Sequence, residues 1–116
     1  MAQRFGPDAR LRQRAEYKAV DAGGRRVAGR FLVIVGKPSD GPRDRMGIIA
    51  SRRVGGAVQR NRAKRRLREV FRRSERQAGA RCLDMVVIAK ADLISAPFDA
   101  VQSDFLAALL KLRGAR

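Results

Sequence analysis

Between Ala57 and Gly79 the chain carries nine basic and two acidic side chains in 23 residues, interleaved with a sparse set of apolar ones. A helix is the local structure that sorts such a segment into two faces. At about 100° per residue, with Leu67 as origin, Ala63, Val70, Phe71, Ser74 and Ala78 all lie within about 60° of it. They form a stripe that must be buried. Arg62, Arg65, Arg66, Arg68, Arg72, Arg73 and Arg76 fall on the outer two-thirds. Gly55-Gly56 breaks the chain before this segment and Gly79 follows it, so the pattern predicts a helix from Ala57 to Gln77. A solvated surface is the plain explanation of a charged helix face. Here only Glu69 and Glu75 interrupt the positive charge, and guanidinium groups left unpaired on one surface repel each other unless an anionic partner screens them. Arg60 projects into the apolar stripe at the helix's N-terminal end, where a helix start itself attracts phosphate. Asn61 is a poor helix former set among cations, which suggests a use for its amide. Val58 fits neither face.

The helix needs something to pack on. Phe31 to Val35 is a continuous apolar run of the buried-strand type, and Arg25-Arg26-Val27 reads as a short strand before it. Lys37 to Arg43 holds Pro38, Gly41 and Pro42 and reads as a loop. Met46 to Ser51 is the next strand, so Phe31 to Ser51 is expected to form an antiparallel hairpin. Leu83 to Ala89 is a further buried strand. Arg12 to Ala22 predicts a first helix, stopped by Gly23-Gly24. Ser95-Ala96-Pro97 opens a last one, running to about Arg113, with Phe98, Val101, Phe105, Leu109 and Leu112 on one stripe. Such an order predicts an α+β domain with helices packed on a small sheet. The 116 residues suit one domain, 1–116, with 1–9 and 114–116 flexible.

Composition narrows the function. There are 27 Lys and Arg against 11 Asp and Glu, a net charge of +16, which points to a polyanionic partner. Residues 1–56 hold 13 basic and 5 acidic groups, whereas 80–116 hold 5 and 4. The footprint therefore belongs to the first two-thirds of the chain. Arg outnumbers Lys by 22 to 5; a GC-rich genome and a need for bidentate phosphate contacts explain this equally well. With no His, imidazole-based catalysis is excluded. Cys82 alone makes neither an internal disulfide nor a Cys/His zinc site, and it reads as a small core residue. The longest apolar run, Met85 to Ala89, is too short to span a membrane. Residues 1–7 lack the apolar stretch of a secretory signal. A cytoplasmic location is expected.

The basic segment resembles one family closely. Gly55-Gly56-Ala57-Val58-Gln59-Arg60-Asn61-Arg62-Ala63-Lys64-Arg65-Arg66-Leu67-Arg68 is similar to the signature of the protein subunit of bacterial ribonuclease P, in which Arg-Asn-Arg opens a basic helix. Arg45-Met46-Gly47-Ile48 and Ser51-Arg52-Arg53-Val54-Gly55 match the strand and turn before it. Arg10-Leu11, Tyr17, Val20, Phe31 and Asp84 to Ala89 extend the likeness over roughly residues 10–112, in order and in register. The resemblance implies an αβββαβα sandwich with a left-handed crossover through the basic helix. It implies a ribonucleoprotein endonuclease that removes the 5′ leader of precursor tRNA, in which the RNA subunit is the catalyst and this chain has no catalytic residues. It implies Mg²⁺ for the holoenzyme, held mainly by RNA, with no metal bound by the protein alone. The partners implied are the catalytic RNA subunit and precursor tRNA, with no membrane and no protein partner required. Arg60, Asn61, Arg62, Lys64, Arg65 and Arg68 would bind RNA. Tyr17 and Phe31 would wall a leader cleft, with Ser51, Arg52 and Arg53 at its rim. The chain departs from the family where a second aromatic is common on the first helix and Val20 or Asp21 stands here. It departs again at Ile34, where some members carry Tyr, and at Gly56, which stands where Asn usually precedes Ala-Val. For Tyr17 both a packing role and a stacking role remain open. A small ribosomal protein is the alternative that charge and composition also fit. A membrane-surface helix fits poorly, since the outer face has no large apolar edge to insert.

Overall fold

Two apolar runs organise the sheet. The computed structural model of the chain describes residues 10–11, 14–39, 41, 43–74 and 82–114. Helix α1 (Arg14–Gly23) leads into β1 (Arg25–Ala28), β2 (Leu32–Pro38) and β3 (Arg45–Ile49). Helix α2 (Ala57–Arg73), β4 (Leu83–Ala89), a 3₁₀ turn (Ala91–Ser95) and α3 (Phe98–Gly114) complete the αβββαβα order. The strands lie in the order β1-β2-β4-β3. β4 is antiparallel to β2 and parallel to β3. The parallel neighbours β3 and β4 are therefore joined by a crossover through α2, the same segment that carries the charge.

The hairpin expected over Phe31 to Ser51 does not form, because β4 lies between β2 and β3. Six of the seven residues of β4 are buried, and such a strand needs a ladder on both sides and cover on both faces. The short β3, whose last residue is exposed, takes the edge. Part of that edge is covered: Arg10 bridges Met46, and the Leu11 N–H donates to the Met46 carbonyl at 3.2 Å.

Alternation along the strands separates two layers. Val35 and Val86 face α1 and pack with Leu11 and Val20, flanked by Tyr17 and Ile88. On the other face Leu32, Ile34, Met46, Met85 and Val87 meet Ala63, Leu67 and Val70 of α2 and Val101, Phe105 and Leu109 of α3. The helical stripes inferred from spacing are thus core.

Helix ends differ from the sequence pattern in informative ways. α2 stops at Arg73, not at Gln77. Ser74 is extended (φ −85°, ψ 116°), and its hydroxyl donates to the Val70 carbonyl at 2.8 Å, satisfying a terminal acceptor in place of a further turn. At the other end Gly55 has φ +141°, a conformation that any side chain would strain. α3 runs to Gly114. The expectations for residues 1–9, 115–116, Arg12, Arg76, Ala78 and Gly79 fall outside the described residues.

Leu67 is fully buried at the centre of the larger layer. Leu67→Ala is expected to cost about 2–5 kcal/mol through the cavity it leaves, read from the urea midpoint. A loss under about 1 kcal/mol would show that this layer is not close-packed.

Candidate nucleic-acid interface

The charged face of α2 divides into free and engaged groups. Asn61, Arg62, Arg65 and Arg68 are exposed, and Arg60 and Lys64 are half-buried. Arg62, Arg65 and Arg68 have no partner among the described residues. Other arginines on the helix are engaged, contrary to the reading of seven unpaired guanidinium groups. Arg66 turns towards the 3₁₀ turn and donates from Nη1 to the carbonyls of Leu93 (3.2 Å) and Ala96 (2.6 Å). It satisfies carbonyls at the turn's end, and the sequence offered no sign of that turn. Arg72 and Arg73 close on Glu69. Arg72 donates from Nη2 at 2.5 Å and from Nε at 3.0 Å, and Arg73 donates from Nε at 2.6 Å. Hydrogen bonds from Arg72 first, then Arg73, lower the Glu69 carboxyl to about 2 and hold it ionised. The guanidinium of Arg73 also lies 5.0 Å from the Phe98 ring centre. The uncompensated charge is therefore concentrated between Arg60 and Arg68 of α2.

A groove runs between α1 and the sheet. Its volume is about 690 Å³; Arg14, Tyr17, Lys18 and Asp21 form the helical wall, and Val35, Ile48, Ile49, Val86 and Ile88 the floor. The wall residues are spaced as one helix face. That spacing is present in the sequence, where the resemblance points to Tyr17 as a wall and to Asp21 as a departure. A smaller notch of about 140 Å³ is lined by Arg10, Leu11, Tyr17, Met46, Gly47, Ile48, Lys64 and Arg68. Tyr17 and Ile48 line both. The apolar groove thus opens, past Tyr17, onto two of the cations of α2.

Tyr17 is held from two sides. Its hydroxyl accepts the Ile48 N–H at 3.2 Å, satisfying a donor on the open edge of β3. Its ring lies where a Cβ on residue 47 would be, within 2.5 Å of the hydroxyl oxygen, so Gly47 is the seat of the ring. The packing role is real, and the ring still borders the groove.

Phe31 is not in this groove. It precedes β2 and packs against the layer formed with α2 and α3. Asp104 of α3 draws the β1–β2 turn to that side, accepting the N–H groups of Arg30 (2.9 Å) and Phe31 (2.8 Å). Ile34 likewise faces away, and the β2 residue in the floor is Val35. Ser51, Arg52 and Arg53 form an exposed turn. The Arg53 N–H donates to Ser51 Oγ at 3.3 Å and the Val54 N–H to the Ser51 carbonyl at 3.0 Å. Buried Val54 anchors this turn. The turn follows Ile49 of the floor without lining the groove.

No group of three or more His, Cys, Asp or Glu side chains that could hold a metal ion is present among the described residues. None of the described helices is long and apolar enough to cross a membrane. Cys82 is half-buried just before β4.

A model of the Ribonuclease P family matches residues 5–113. The ribonuclease P protein component of Syntrophomonas wolfei is 35% identical over 103 residues, covering 89% of this chain and 86% of that protein. That of Chloroflexus aurantiacus is 38% identical over 100 residues, covering 86% and 74%. Among solved structures, the Staphylococcus aureus RNase P protein superposes with a TM-score of 0.76 at 26% identity, covering 90% of this chain and 97% of that one. The Thermotoga maritima RNase P protein gives 0.74 at 27% identity, covering 92% and 97%.

The seat of Tyr17 is testable. Gly47→Ala is expected to destabilise by about 1–3 kcal/mol through overpacking, and by clearly less in a Tyr17→Ala background. Equal costs in the two backgrounds, read by urea denaturation, would show that the ring is not what Gly47 makes room for.

Proposed function

Because the chain belongs to the ribonuclease P protein family, we propose that its groove and the Arg60–Arg68 stretch of α2 act as one continuous surface for RNA. The chain serves as the protein subunit of a ribonucleoprotein endonuclease. It works with the catalytic RNA subunit and precursor tRNA and assists removal of the 5′ leader. Catalysis belongs to the RNA. The family match sets the ribosomal alternative aside.

In this reading Arg60, Asn61, Arg62, Lys64, Arg65 and Arg68 bind the RNA subunit and the adjoining substrate. The extended leader lies in the groove past Tyr17, with Arg14 and Lys18 along one wall and Ser51, Arg52 and Arg53 beyond the Ile49 end. Phe31 has no part in it. The observation that carries the proposal is the sharing of Tyr17 and Ile48 between the apolar groove and the notch of Lys64 and Arg68. A strand leaving the α2 face passes onto an aliphatic floor without crossing a barrier of acidic groups. Guanidinium groups neutralise phosphates and release counterions, while the floor accepts unstacked bases. Tyr17 adds one aromatic surface.

Mg²⁺ is implied for the holoenzyme. Among the described residues no three acidic side chains gather to hold it, and five of the carboxylates are engaged elsewhere. Asp84 and Glu16 bind Arg45, Asp44 binds Arg113, and Glu69 binds Arg72 and Arg73. Asp104 accepts two backbone N–H groups. In this reading the ion is held mainly by the RNA, as the family implies, and no step runs through this chain. The proposed place of action is the cytoplasm, as one RNA-binding domain.

Mixing the protein with its RNA subunit and precursor tRNA at low Mg²⁺ is expected to stimulate 5′ cleavage; no stimulation would overturn the reading. Arg62→Ala and Arg65→Ala are each expected to weaken RNA affinity and flatten its log–log salt dependence by about 0.7–0.9 per lost phosphate contact. Circular dichroism should show an unchanged fold. Unfolded variants with unaltered RNA affinity in the folded fraction would make the basic face structural instead.

A further inference from the structure

Asp21 is out of place in a groove for a polyanion. It is the only acidic side chain among the groove's lining residues, beside Arg14 and Lys18, in a chain of net charge +16. Its carboxylate opposes the approach of phosphate. It also stands in the last turn of α1, a turn with no basic residue, where the helix dipole disfavours an anion. No described residue pairs with it to offset either effect. Two independent electrostatic penalties converge on one exposed carboxylate that faces the groove.

Its chemistry differs from that of every other lining side chain. Arg14 and Lys18 only donate hydrogen bonds, and the floor of Val35, Val86 and Ile88 does neither. The Tyr17 hydroxyl already accepts the Ile48 N–H. Asp21 alone accepts without donating. Tyr17 lies one turn before it on the same face, at a separation of about 5–6 Å between Cβ atoms. A base resting against the Tyr17 side of the groove would bring its edge to the carboxylate.

We propose that Asp21 is a specificity-determining residue that reads the Watson–Crick edge of one leader base and favours guanine. The proposal rests on the leader path given above. A carboxylate offers two acceptor oxygens side by side. Guanine N1–H and N2–H present two parallel donors that match them. Cytosine and adenine set an acceptor beside their amino group, and uracil flanks N3–H with two carbonyls, so a second carboxylate oxygen would meet a lone pair. The edge is available because leader bases are unpaired.

The test uses the reconstituted holoenzyme and a pool of precursor tRNAs with randomised leaders, read as relative kcat/KM in competition. The wild-type protein is expected to favour guanine over uracil about tenfold at one leader position. Asp21→Ala should flatten that preference. Asp21→Asn, with one acceptor and one donor, should move it towards adenine or cytosine. The proposal is overturned if no position favours guanine, or if both variants raise processing of all leaders alike, as loss of a merely repulsive charge would. Absence of stimulation on every leader would instead defeat the underlying functional reading, and this one with it.

Discussion

The pairing of Arg45 with Asp84 fixes the register on which the groove depends. Asp84 is buried, and Arg45 meets it with two bonds, Nε to Oδ1 at 3.0 Å and Nη2 to Oδ2 at 2.9 Å. A third bond, Nη1 to Glu16 Oε2 at 3.1 Å, ties α1 to the same guanidinium. Arg45 keeps its proton more firmly than usual, chiefly through the hydrogen bonds to Asp84. Burying such a pair adds little net stability, because desolvation opposes the attraction. Its effect is on alignment. β3 is five residues long and parallel to β4, a weaker ladder than an antiparallel one. Arg45 and Asp84 are direct partners in that ladder, and a slip of one residue would leave Asp84 buried without its cation. With the register set, Gly47 stands beside Val86 and Ile49 beside Ile88. Glu16 then brings Tyr17 down onto Gly47.

Much of this was legible from residue types and spacing, for a physical reason. The buried stripes of α2 and α3 and the apolar run of β4 are local patterns, and burial of apolar surface enforces them wherever the elements end up. Pairing partners are not local. β2 and β3 are neighbours in sequence, and only the need of β4 for a neighbour on each side separates them. Phe31 shows the same limit at one residue: Asp104, 73 positions away, places it on the α3 side. Arg66 shows it for charge, since its two carbonyl partners belong to a turn without a sequence signature. Tyr17 was identified through the resemblance, but its tie to Ile48 depends on which strand lies at the edge.

The charges of the chain separate into two populations by what holds them. Asp44 joins Arg113 and also accepts the Leu83 N–H at 2.8 Å, fastening the end of α3 to the start of β4. Asp104 fastens α3 to the β1–β2 turn, and Lys90 adds a bond to the Gly29 carbonyl at 2.7 Å. Glu69 gathers the last arginines of α2. Acidic side chains in these places are joints of the fold, and each withdraws cations or backbone donors from the surface. Among the described cations left without such a joint, Arg62, Arg65 and Arg68 stand together on one exposed face of α2. The excess of basic residues is therefore more than a global attraction to polyanions: the internal acids decide where it is expressed.

That division gives the unpaired groups their meaning. Asp21 on the groove wall forms no such joint, and neither do the guanidinium groups of Arg60, Arg62, Arg65 and Arg68 on α2. Arginines on an open face need only an anion, and a phosphate chain of any sequence supplies one. A lone carboxylate needs donors, and phosphates have none. The bases of the strand are where donors are found, so in the proposed reading the arginines hold a backbone and the carboxylate distinguishes what it carries.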